Sequence, residues 1–231
     1  RLLMTSPSEK TKPISPTQKR GPLRQALDMP WAAGFELRRW LAYPFMRIGF
    51  ALHGIAWGRG WHVWGMPIIQ RYRGSMIKIG DGIYLRSWKS TNPLTPNHPV
   101  TLATRNAEAQ IVIGKEVGLT GTTIVAAERI DIGDRVQVGA NTTIVDTDFH
   151  PVDPAERQRD FLAGRHAPIV IEQDVFIGMN CLILKGVHIG AGATIGAGSV
   201  VSKDIPPMCV AAGNPAQVVK NLAIQSDGEQ R

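Results

Sequence analysis

From Ile171 an aliphatic residue recurs at every sixth position, through Ile177, Ile183, Ile189 and Ile195 to Val201. Four places after each of the first five anchors stands a small or β-branched residue: Val175, Cys181, Val187, Ala193 and Ser199. Glycine follows three anchors directly, at Gly178, Gly190 and Gly196. A period of six matches neither the 3.6 of a helix nor the 2 of an ordinary strand. It matches a short strand and a tight corner written over and over, which is the pattern of a hexapeptide β-helix. The chain is therefore expected to be an all-β solenoid in which three hexapeptides close one triangular turn. Each turn buries its aliphatics only by stacking on the next.

The period divides the chain. Residues 1–28, rich in Ser, Thr, Pro and Lys, read as a disordered leader. Residues 29–76 form an aromatic and basic segment expected to be helical, with five of the six tryptophans (Trp31, Trp40, Trp57, Trp61, Trp64) among Arg38, Arg39 and Arg47. The solenoid is expected over 77–222, opening at Ile77, with about four to five turns. Two excursions interrupt it, 86–110 and 150–168; a helix is expected near 216–224, and 223–231 is a polar tail. In the aromatic segment, the run from Trp40 to Trp57 approaches the length of a membrane span but holds Pro44, Arg47 and His53. An arginine near the centre of a span costs about 2.5–3.5 kcal/mol. A helix lying in the membrane interface is cheaper, and a helix packed on the solenoid or on a neighbouring subunit is the competing expectation.

Bulk properties exclude several classes. At 231 residues and 43% hydrophobic content the chain can bury a core, so disorder throughout is ruled out. Cys181 and Cys209 are too few for a disulfide framework and are expected to be reduced core thiols. The formal charge of +7 has no nucleic-acid recognition motif beside it, and much of the excess lies before residue 75, which favours an acidic membrane surface as partner for residues 30–70. The first thirty residues lack the apolar stretch of a secretory signal, so the expected location is the cytoplasm, with peripheral contact at the inner membrane surface. No histidine pair has metal-ligand spacing and no metal is expected.

The period fails at Asp146-Thr-Asp-Phe-His150. Asp148 stands where a small residue belongs, and His150 stands where the next anchor is due, between carboxylates and ahead of Pro151 and Pro154. Histidine is the side chain best suited to take a proton from a hydroxyl near neutral pH. A carboxylate, Asp146 or Asp148, is expected to orient its ring, as in other His–Asp pairs. Asp153 and Arg157 are expected to pair within the loop.

The strings Val175-Phe-Ile-Gly-Met-Asn-Cys-Leu-Ile-Leu-Lys-Gly-Val-His-Ile-Gly190, Ile195-Gly-Ala-Gly-Ser-Val-Val-Ser-Lys-Asp-Ile-Pro-Pro207 and Ala212-Gly-Asn-Pro-Ala-Gln-Val-Val-Lys220 resemble the hexapeptide-repeat sugar O-acetyltransferases. These include the maltose, galactoside, nodulation-factor and polysaccharide-biosynthesis enzymes. His150-Pro-Val-Asp-Pro-Ala-Glu-Arg157 is similar to the loop that carries that family's catalytic histidine. The resemblance covers roughly 77–222 and is most specific over 132–220. It implies a left-handed parallel β-helix, a homotrimer with the active site between subunits, acetyl-CoA as co-substrate and a carbohydrate acceptor, of which a lipid-linked glycan is one form. Carried over by position, His150 is the implied base. Gly178, Met179, Ala197, Ser202, Lys203, Pro215, Gln217 and Lys220 are the implied acetyl-CoA contacts. Residues 178–180 are the candidate source of an oxyanion donor. Phe176 and Met179 stand where the family often has Trp and Ser, and Gln217 and Lys220 stand where the galactoside enzyme has arginines. That enzyme's acidic acceptor residue aligns near Ala127, beside Glu128.

The expected reaction is attack of an acceptor hydroxyl on the thioester with His150 as general base. Two alternatives stand beside it: acetyl transfer to an amine of a nucleotide sugar, and a non-catalytic β-helix scaffold.

Overall fold

The computed structural model describes residues 28–222, so the expectations for the leader up to residue 27 and for the tail from 223 lie outside the described residues. A 23-residue helix, α1 (Pro30–Leu52), precedes the solenoid. Proline at its start suits a position whose N–H has no helical partner. It ends at Gly54, which takes a left-handed conformation (φ 66°) and returns its N–H to the Ala51 carbonyl.

Six coils then stack into a left-handed parallel β-helix. The first is β1 (His62–Trp64), β2 (Ile68–Gln70) and β3 (Met76–Ile79). The second is β4 (Tyr84–Arg86), β5 (Thr101–Thr104) and β6 (Gln110–Ile113); the third is β7 (Gly118–Thr120), β8 (Thr123–Ala126) and β9 (Arg129–Ile132). The fourth is β10 (Gln137–Val138), β11 (Thr143–Val145) and β12 (Ile169–Ile171), with a short helix α2 (Pro154–Arg159) between the last two strands. The fifth is β13 (Phe176–Ile177), β14 (Leu182–Ile183) and β15 (His188–Ile189). The sixth is β16 (Thr194–Ile195), β17 (Val200–Val201) and Ile205, which bridges in parallel to Ile189. The strands of successive coils pair in parallel, so the column has three faces: face A from the first strand of each coil, face B from the second, face C from the third.

Every anchor points inward. Ile144, Ile169, Ile177, Ile183, Ile189 and Ile195 are fully buried in one continuous core. The core extends below the expected start at Ile77, because Val63 and Ile69 already occupy the inward positions of a complete coil. Ile69 and Ile77 are eight residues apart, so lengthened corners hide the period there. The first excursion is likewise shorter than expected: residues 101–104 and 110–113 are column strands. The expected helix at 216–224 is instead a strand, β19 (Ala216–Asn221), folded antiparallel onto β18 (Cys209–Gly213). The β-branched pair Val218-Val219 suits an extended chain, and the hairpin covers the edge of face A that the last coil would otherwise leave open.

The glycines after the anchors serve close approach. A Cβ on Gly178 would lie 2.5 Å from the Ala197 nitrogen, and one on Gly139 would lie 2.5 Å from the Met179 nitrogen. The left-handed corner between faces C and A uses glycine at Gly82 and Gly192 (φ 71° and 66°), while in the coils between them Glu116, Arg135 and Asp174 adopt φ of 57°, 58° and 61°. Their amides form a ladder up the corner, Glu116 to Asp81, Arg135 to Lys115 and Asp174 to Asp134, which helps hold a conformation that costs an L-residue roughly 1–2 kcal/mol. At the lower end, Met46 and Phe50 of α1 pack with Ile55, Trp57 and Trp61 and close the core.

Candidate active site

The excursion between β11 and β12 leaves the corner that follows face B. Its two ends are zipped together: Thr147 bridges antiparallel to His166, Asp148 N–H donates to the Arg165 carbonyl (2.8 Å), and Ala167 N–H donates to the Asp146 carbonyl (3.0 Å). Phe149 then takes a left-handed conformation (φ 62°), and His150 N–H reaches back to the Asp148 carbonyl at 2.7 Å. That is a γ-turn on a bulky residue, a strained geometry of the kind that clusters at functional sites. Asp153 caps α2 by accepting from Glu156 N–H (2.9 Å), and Arg157 donates to the Pro151 and Val152 carbonyls. The expected Asp153–Arg157 pair is thus replaced by three hydrogen bonds to backbone, one accepted by Asp153 and two donated by Arg157, which close the loop just after His150.

The imidazole is held by the returning strand of the same loop. Its Nδ1 lies 2.6 Å from the Phe161 carbonyl oxygen, and its ring lies 3.9 Å, centroid to centroid, from the Phe161 ring. A carbonyl can only accept, so Nδ1 carries the proton and the lone pair of the neutral ring is on Nε2. Gly164 makes this closure feasible, since a Cβ there would lie 2.5 Å from the Phe149 carbonyl carbon and 2.6 Å from the His150 nitrogen. Both are backbone atoms, so no rotamer change relieves the clash. Gly164→Ala is expected to shift the imidazole and lower turnover about tenfold to a hundredfold. The melting temperature should change little, because Phe161 and Leu162 of this loop are exposed; unchanged turnover would show that the loop closure does not position His150.

The two carboxylates do other work than expected. Asp146 is fully buried and accepts from Ala127 N–H (2.6 Å) and Glu128 N–H (2.8 Å), the corner one coil below. Burial raises its pKa, and the backbone donors pull in the opposite direction. Asp148 accepts from Lys185 Nζ at 2.6 Å, one coil above. Neither carboxylate orients the imidazole; the Phe161 carbonyl does. The Glu128 side chain, from the same corner, lies 2.9 Å from His166 Nδ1. His188 is half-exposed and its Nε2 lies 3.0 Å from the Glu172 carboxylate.

The residues implied as acetyl-CoA contacts divide between two edges of face B. Gly178, Met179 and Ala197 form the corner that precedes face B, stacked on Gly139 and Ala140. Ser202 and Lys203, both exposed, follow β17 at the opposite edge, on the side from which the His150 loop emerges two coils below. Pro215 is in the turn between β18 and β19, and Gln217 and Lys220 are exposed on β19. Within 178–180, Gly178 N–H donates to the Ile195 carbonyl and Asn180 N–H to the Ala140 carbonyl, which leaves Met179 N–H as the donor of that stretch outside the column's ladder. A single chain places His150 on the same edge of face B as Ser202 and Lys203, two coils below them, and Gly178, Met179 and Ala197 on the other edge.

Residues 168–203 match the family model described as bacterial transferase hexapeptide (six repeats). The chain carries that repeat from the last strand of the fourth coil through β17 of the sixth. It is 42% identical over 100 residues to the galactoside O-acetyltransferases of Lactococcus lactis and Escherichia coli, an alignment that covers 43% of this chain and 47% and 48% of those enzymes. The chain thus spans less than half the length of these curated relatives. Its fold is similar to that of a maltose O-acetyltransferase from Clostridium difficile, with a TM-score of 0.50 and 24% identity over 86% of this chain and 91% of that one.

The site's missed members are Phe161, Gly164 and Lys185. Lys185 was the readable one: it occupies the corner after face B one coil above Asp148. Cys181 lies 2% exposed in the column with its thiol 3.2 Å from the Gly196 carbonyl, and burial pushes its pKa up. It is expected to resist iodoacetamide at pH 8 in the folded protein and to react fully in denaturant. Rapid labelling of the folded protein at Cys181 would contradict this packing.

Proposed function

We propose that this protein is an acetyl-CoA-dependent O-acetyltransferase acting on a hydroxyl of a sugar or surface-polysaccharide precursor. The observation that carries the reading is the fixed tautomer of His150: a ring anchored through Nδ1 by a backbone carbonyl presents a basic Nε2 on the exposed side of a strained loop. The similarity to the two galactoside O-acetyltransferases supports the choice of reaction. Acetyl-CoA would supply an acyl group activated as a thioester. His150 Nε2 takes the proton of the acceptor hydroxyl as its oxygen attacks the thioester carbon, and then delivers that proton to the departing sulfur. Met179 N–H is the proposed donor to the carbonyl oxygen as charge develops there.

The protein residues fit such a co-substrate. Ala197 and Gly198 present an open corner, with nothing within 4 Å of where a Gly198 Cβ would stand, and Lys203 and Lys220 are exposed cations suited to phosphates. The separation of Gly178, Met179 and Ala197 from His150 across face B supports a homotrimer in which a neighbouring subunit supplies the second edge. The Glu128–His166 pair lies on the His150 edge and is placed to meet acceptor hydroxyls, with the carboxylate one residue along from the aligned position in the galactoside enzyme.

Calorimetry with acetyl-CoA on the purified oligomer tests the reading, followed by an acceptor screen in which products are treated with mild base. Saturable binding in the micromolar to millimolar range and a base-labile acetyl product are expected. A base-stable product would assign the chemistry to amines, and absence of binding to any acyl-CoA would leave the scaffold.

A further inference from the structure

Helix α1 has two unlike faces, and the fold uses only one. Met46 and Phe50 are buried against the end of the column. On the opposite side, Leu37, Trp40, Leu41, Phe45, Ile48 and Leu52 are 58–82% exposed. Their spacing of three and four residues puts them on one continuous stripe along four turns. Stripes of this size on a soluble surface mark an interaction site.

The charges say what kind of partner fits. The stripe carries no acid: Glu36, the helix's acidic side chain, is turned toward the column, where it accepts from Trp64 Nε1 (3.0 Å) and binds Arg39 in two contacts (2.6 and 2.8 Å). Arg38 and Arg47, both exposed, border the stripe on its two sides, Arg38 beside Phe45 and Arg47 beside Trp40, with their guanidinium groups over the Trp88 and Tyr43 rings (4.1 and 5.9 Å). Between residues 28 and 75 six arginines face two acids, Asp28 and Glu36. Large apolar and aromatic side chains with arginines along the margins match the interface of an anionic bilayer, where the rings enter the acyl boundary and the guanidinium groups stay among headgroup phosphates. A second copy offering the same face would bring arginines against arginines with no acid between them. A spanning role does not fit either, since among the described residues no helix is long and apolar enough to cross a membrane.

We propose that α1 is an interfacial helix that docks this protein on an anionic lipid surface. The helix lies in the plane of the membrane with Leu37, Trp40, Leu41, Phe45, Ile48 and Leu52 inserted. Phe50 and Met46 fasten it to the lower end of the column, so docking places the whole solenoid on the membrane by that end. This assignment is independent of the proposed acetyl transfer.

The test is flotation of the full chain with phosphatidylglycerol–phosphatidylcholine vesicles and with phosphatidylcholine vesicles alone, at low salt and at 0.5 M salt. The wild-type protein is expected to float with the anionic vesicles, less so at high salt, and its tryptophan emission to be quenched by brominated lipid. Trp40→Glu/Phe45→Glu, at positions 73% and 76% exposed, should keep its melting temperature and oligomeric mass and lose vesicle binding about tenfold or more. Three results would overturn the proposal: no binding by the wild type, equal binding by the double variant, or a lower oligomeric mass in the variant. The last would assign the stripe to a contact between subunits.

Discussion

His150→Ala is expected to lower turnover by about 10²–10⁴-fold while leaving acetyl-CoA affinity within about twofold. The size follows from what is lost, the base that removes the acceptor proton as the oxygen attacks. The selectivity follows from position. The ring is held inside its own loop, by the Phe161 carbonyl and ring, and Arg157 secures the loop to the Pro151 and Val152 carbonyls without help from the imidazole. Removing the ring should therefore leave the loop closed and both edges of face B, at Ala197 and at Lys203, untouched. His150→Gln is the sharper companion, since its amide can still donate to the Phe161 carbonyl but has no titratable base. Equal losses in both variants would assign the effect to proton transfer. Recovery of turnover in the glutamine variant would show that the ring only holds the loop, and unchanged turnover in both would remove His150 from the reaction.

What the sequence revealed of this site depended on whether the relevant contact leaves a mark on residue type. The column from Ile171 to Val201 was readable because every anchor must be aliphatic, and each is fully or nearly fully buried. His150 was readable because it interrupts that requirement. Its partner was not, because the group that fixes the ring is a backbone carbonyl eleven residues on, and any residue at 161 supplies one. The carboxylates misled for a related reason. Asp146 and Asp148 are near His150 in sequence, but the solenoid points them along the column, to the coil below and the coil above, and those neighbours are nineteen and thirty-seven residues away. The first coil escaped detection because the corner between Ile69 and Ile77 is longer than six-residue spacing allows, although Val63 is fully buried and Ile69 only 9% exposed. The corner glycines serve two ends: at Gly139 and Gly178 the demand is for space against the next coil, while at Gly82 and Gly192 it is for left-handed backbone, a conformation that Glu116, Arg135 and Asp174 adopt in the coils between through the same ladder of backbone bonds.

The second large effect concerns Asp146, and it falls on stability. Its carboxylate accepts from Ala127 and Glu128 N–H at 2.6 and 2.8 Å from a fully buried position, tying the corner below to the root of the His150 loop. Alanine removes the acceptor and strands both donors, each at about 1–3 kcal/mol where water does not replace it. Glu128 is exposed and Ala127 partly so, which lets water recover some of the loss. Asp146→Ala is therefore expected to cost about 2–4 kcal/mol in urea unfolding. Asp146→Asn should lie between, keeping one acceptor oxygen but turning an amide N–H₂ toward the second donor. The pH dependence has a definite sign. Burial raises the folded pKa of Asp146 above its unfolded value, so in that window the folded protein binds more protons than the unfolded chain, and stability from this group falls as pH rises through it. The stability advantage of wild type over Asp146→Asn should accordingly shrink from the acid side of the unfolded carboxylate value to the alkaline side of the folded one. An advantage that grows over that range would mean that the backbone donors outweigh desolvation and hold the folded pKa below the unfolded one. Turnover decides the role: because Phe161, not Asp146, holds the imidazole, Asp146→Asn assayed below its unfolding temperature should keep turnover within about threefold of wild type. A loss approaching that of His150→Ala, with the fold intact, would return Asp146 to the catalytic machinery.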